Sequence, residues 1–76
     1  MENLDRITHN PAVMGGQACI RGMRVTVSMI VGMIGTGLSK RELLALYPYL
    51  EAADIDQALA YAAWRLRERE VPIAAG

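Results

Sequence analysis

Ser39-Lys40-Arg41-Glu42-Leu43-Leu44-Ala45-Leu46-Tyr47-Pro48-Tyr49-Leu50-Glu51 is the stretch on which the fold turns. Ser39 with Glu42 three residues on has the pattern of a capping box, in which each side chain accepts from the other residue's backbone N–H. Leu43, Leu44 and Tyr47 follow at helical spacing and supply an inward face. Pro48 has no N–H and disfavours the α region at Tyr47, so the stretch predicts a helix over 40–47 that stops there. Only Pro48 to Glu51 separate it from a second periodic run, Ile55, Leu59, Ala62 and Leu66, spaced four, three and four. That run predicts a helix from about 52 to 70. Asp54 and Asp56 near its start and Arg65, Arg67 and Arg69 near its end suit the helix dipole, and Pro72 ends it.

Upstream, Val27, Ile30, Val31 and Ile34 recur at i, i+3, i+4 and i+7, and Met29 and Met33 cover another face. This predicts a helix over 27–36, capped by Thr26 and closed by Gly37. A helix apolar nearly all round is buried on most sides. Two helices joined by a short turn, after a first helix, make helix-turn-helix geometry. Residues 1–26 carry no helical pattern. Gly15-Gly16 and Gly22 mark turns between the β-favouring pieces Ile7-Thr8, Cys19-Ile20 and Met23–Val27, which read as a hairpin arm. The expected architecture is mainly α: one domain over 1–76, with a β-hairpin arm over 1–26, a three-helix core over 27–70 and a tail over 71–76 that frays at Ala74-Ala75-Gly76.

A chain of 76 residues that is 53% hydrophobic has little interior in which to hide its apolar surface. A second chain is therefore expected to cover some of it, as in a homodimer. Eight basic and eight acidic residues cancel, and the isoelectric point near 6.5 lies well under the roughly 9 of a dedicated nucleic-acid domain. Any DNA contact must come from local clusters. Cys19 is the single cysteine, which excludes an internal disulfide and suits a reducing, cytoplasmic setting. The first residues lack the apolar core of a signal peptide, and the apolar run around Met29–Ile34 is far too short to span a bilayer.

Three stretches together resemble a known family: Asn10-Pro11 with Gly15-Gly16-Gln17-Ala18-Cys19-Ile20; Arg21-Gly22-Met23-Arg24-Val25-Thr26-Val27; and Tyr47-Pro48-Tyr49-Leu50 through Asp54-Ile55 to Ala58-Leu59-Ala60-Tyr61-Ala62. In this order, over about residues 5–68, they look like the family catalogued as domain of unknown function 433. The resemblance implies a homeodomain-like helix-turn-helix with a β-hairpin arm. It also implies an antitoxin of the VapB kind, paired with a PIN-type ribonuclease toxin. The family often has Thr or Ser where Glu51 stands, and Glu is a poorer N-cap. It carries no established catalytic residues.

Candidate DNA contacts are Lys40 and Arg41, at a helix start where a phosphate would meet free N–H groups; Arg21 and Arg24, on a turn tip beside the backbone; and Gln57 on the outer side of the third helix. Their bland readings are a solvated face and an ordinary turn. Tyr61 and Trp64 share that outer side and are candidate partner contacts, or else Trp64 packs under the hairpin. Met33 is a candidate dimer seam. Asp54 and Asp56 sit where a helix-turn-helix meets base edges, and phosphates repel carboxylates there. His9 stands alone, no nucleophile, base and orienter assemble, and neither metal nor cofactor is expected. Two functions remain open. One is an antitoxin that inhibits its ribonuclease and represses its own operon; the other is an interaction module that uses the same fold without DNA.

Overall fold

The computed structural model describes residues 4–68. Arg69, Pro72 and the tail over 71–76 lie outside the described residues. The order is β1 (Ile7–His9), a single 3₁₀ turn (Met14–Gly16), β2 (Ala18–Ile20), α1 (Val27–Gly35), α2 (Lys40–Leu46) and α3 (Ala52–Glu68). The fold is mainly helical, three helices with an N-terminal two-stranded antiparallel hairpin.

The first two helices begin and end for local chemical reasons. Thr26 Oγ1 accepts from Met29 N and caps α1. At its other end Gly37, at φ 106°, lets Gly37 N reach Ile34 O and Leu38 N reach Met33 O, the paired bonds of a Schellman motif. The capping box of α2 is complete: Glu42 N donates to Ser39 Oγ and Ser39 N to Glu42 Oε1. These bonds from Ser39 hold the Glu42 carboxyl below its ordinary value. Ahead of Pro48, Tyr47 has left the helix, at φ −125° and ψ 79°.

The hairpin pairs Ile7 with Ile20, Thr8 with Cys19 and His9 with Ala18. Beyond β2, Met23 N bonds Ile20 O across Arg21 and Gly22, both at positive φ (46° and 73°). This tight turn returns the chain, so that Thr26 bridges Cys19.

The core is Ile20 from the arm, Val25, Val27 and Ile30 around α1, Leu43 from α2, and Leu50, Ile55 and Ala58 around α3. Met29, Met33 and Tyr61 pack half-buried against it, so Met33, expected at a dimer seam, contributes to the chain's own interior.

One expectation is corrected. Of the expected inward stripe of α3, Ile55 and Ala62 face the core, but Leu59 and Leu66 do not: Leu59 is 37% exposed and Leu66 73%. Asp54 and Ala58 are fully buried beside Ile55, followed by half-buried Tyr61. The helix is turned so that a carboxylate points inward.

Candidate functional site

Asp54 is fully buried, which is costly for a charge unless it is paired and hydrogen-bonded. It accepts four hydrogen bonds. Arg21 grips it with Nε on Oδ1 (3.1 Å) and Nη2 on Oδ2 (2.9 Å). Arg6 Nη1 reaches Oδ1 at 2.9 Å, and Glu51 N donates to Oδ2 at 2.8 Å. The last bond is the reciprocal half of a capping box, supplied from the third helical position because Glu51 is a poor cap. The Glu51 carboxylate turns instead to Arg6 Nη1. Burial pushes the Asp54 carboxyl up, but the bonds from Arg21, Arg6 and Glu51 outweigh it and hold the carboxyl below its usual range. Both guanidiniums are correspondingly raised, Arg6 by its bonds to Glu51 and Asp54 and Arg21 by its bond to Asp54.

Three of the candidate DNA contacts have internal partners. Arg21 is paired with Asp54 and also donates to Tyr49 O (2.8 Å), so the turn it sits on is not a pair of solvated arginines. The Gln57 amide is engaged at both ends, its Oε1 accepting from Arg6 N and its Nε2 donating to Asp5 Oδ1. Lys40 Nζ lies 2.6 Å from Asp56 Oδ1, tying α2 to α3 through an exposed pair worth at most about 1 kcal/mol. Of the candidate phosphate contacts, Arg41 and Arg24 are exposed and form no ion pair among the described residues. Sequence reasoning missed the Asp54 clamp, although Asp54 three residues past Glu51 carried a capping-box signal.

A second surface lies further along α3. His9 Nε2 and Tyr61 Oη are 3.1 Å apart, which fixes the Tyr61 ring under β1, and Trp64 lies half-buried with its ring centre 6.0 Å from that of Tyr61. Beside Tyr61 an open groove of about 520 Å³ runs between α1 and α3. Val27, Ser28, Val31 and Gly32 form the α1 wall. Tyr61, Ala62, Arg65 and Leu66 form the α3 wall, and Ala18 of β2 closes one end. Among the described residues no carboxylate lines it. Among the described residues no group of three or more His, Cys, Asp or Glu is placed to hold a metal ion. No helix there is long and apolar enough to cross a membrane.

The family model described as "Protein of unknown function (DUF433)" matches residues 7–62, the span that holds the hairpin, all of α1 and α2 and the Asp54 clamp short of Arg6. A solved structure of a DUF433 member protein from Anabaena variabilis ATCC 29413 is 38% identical, with a TM-score of 0.77. The match covers 83% of this chain and 62% of that one, so this chain spans less than two thirds of that protein's length. No curated protein matches the chain.

Proposed function

The chain belongs to the DUF433 family, and from that premise we propose that it is a non-enzymatic, cytoplasmic protein-binding module of antitoxin type, which holds a PIN-type ribonuclease rather than reading base edges. The start of α3 carries this reading. In a DNA-reading helix-turn-helix the first residues of that helix meet the bases. Here Asp54 and Gln57 are bound to the arm, and exposed Glu51 and Asp56 face outward, with Lys40 neutralised by Asp56. The cations of this surface, Arg6, Arg21 and Lys40, are taken up by those carboxylates and have little left to offer phosphates, and the zero net charge gives no long-range attraction. The resemblance to antitoxins supplies the class of partner, and the buried, single Cys19 suits a reducing compartment.

A second reading keeps an operator contact, favoured by exposed Arg41 in the first turn of α2. Gel-shift titration with the chain's own upstream DNA at low salt separates the two, run with and without the product of the adjacent gene. The first reading expects that product to bind and the DNA to migrate unchanged. A shift whose log affinity falls with log salt, and flattens by about 2–4 in slope in a dimer when Lys40 and Arg41 are both replaced by Ala, would establish the second instead.

A further inference from the structure

We propose that the groove between α1 and α3 is the docking site for an amphipathic, acid-flanked helix of the partner protein. The inference rests on the protein-binding reading above and names the surface that does the binding. The groove's walls are two helices, and its α1 wall is low: Ser28 and Gly32 are four residues apart and exposed, so a partner backbone can approach closely there. Val27 and Val31 behind them, and Ala62 and Leu66 opposite, give apolar contacts at the spacing that helix-in-groove recognition uses.

Charge selects the partner. Among the described residues Arg65 is the one charged residue of the lining. An occupant with apolar knobs and a carboxylate flank complements this, and Tyr and Arg are the residue types that anchor interfaces. A small molecule fits less well. The Tyr61 hydroxyl is already bonded to His9, leaving the groove few convergent polar groups to orient one. A second copy of the chain fits less well too: a two-fold interface brings a surface patch onto itself, and this patch holds an arginine but, among the described residues, no carboxylate to meet it.

Gly32→Leu tests the site directly. A Cβ at Gly32 meets nothing within 4 Å, and its φ lies outside the positive region, so the fold accommodates the side chain while the groove fills. The probe is the purified product of the adjacent gene, titrated calorimetrically against the full-length chain, with light scattering and thermal melting of the chain alone. The expected result is binding by the parent chain, at least tenfold weaker binding by Gly32→Leu and by Arg65→Glu, and a Gly32→Leu melting midpoint that holds or rises. Equal affinity of parent and Gly32→Leu overturns the groove and leaves the protein-binding reading standing. No binding by the parent overturns both. A Gly32→Leu chain that drops from dimer to monomer, or melts earlier, means that a second copy or the chain's own remaining residues occupy the groove, and overturns the proposal.

Discussion

Replacing Asp54 with Asn keeps the side chain's size and removes its charge, and the structure allows the cost to be worked out. The amide keeps one acceptor oxygen, but its NH2 now faces Arg21 Nη2 and Glu51 N, which both donate to Oδ2 in the parent. Hydrogen bonds to a charged group contribute about 1.5–3 kcal/mol each, and breaking a buried ion pair costs about 3–5 kcal/mol. Here the partners keep access to water, with side chains 28% exposed for Arg6 and 37% for Arg21, so they are not left buried and unpaired. The expected loss is therefore about 2–4 kcal/mol. For a domain of this size each kcal/mol shifts the melting midpoint by about 4–8 °C, giving a drop of at least roughly 8 °C at neutral pH by circular dichroism. The pH dependence gives an independent check. The folded carboxyl titrates below its ordinary value of about 3.9. Its stabilisation is thus complete above that value and is lost as the pH falls through the lower, folded one. The gap between parent and Asp54→Asn should close on acidification. A midpoint that moves by less than about 3 °C at pH 7, or a gap that does not depend on pH, would refute the clamp as the anchor of the arm.

Ser39→Ala should cost about 1 kcal/mol, read as a lower urea midpoint at unchanged slope, because Glu42 N loses its acceptor. Gly37→Ala should cost about 1–2 kcal/mol by the same assay, since no L side chain sits easily at φ 106°; an unchanged midpoint would mean that the Schellman closure is dispensable.

Most of the backbone was legible because its determinants are local. Thr26, the Ser39–Glu42 pair, Gly37 and Pro48 each act within a few residues, and α1 and α2 start and stop where they dictate. The face of α3 was not legible for the opposite reason. Hydropathy favours Leu59 and Leu66 as inward residues and Asp54 as outward. Asp54 turns in only because Arg6 and Arg21, 48 and 33 positions away, neutralise it, and no periodicity reports a pairing at that separation. The same blindness made Arg21 and Gln57 look like free polar groups. Tyr61 was placed outside for the same reason, since its phase on the helix was read from the wrong stripe.

Arg6 and Arg21 stand opposite each other one rung beyond the Ile7–Ile20 pair, joined by Arg21 N to Arg6 O. Like charges in that position destabilise a hairpin, and three-residue strands leave little to choose between one alignment and the next. The carboxylate between the guanidiniums turns this weakness into an alignment key. A slip of one residue would carry Ile7 or Ile20 off the core face and at the same time draw one arginine out of reach of Asp54, leaving the other to face its neighbour uncompensated. The clamp thus does for strand alignment what a short designed turn does in other hairpins.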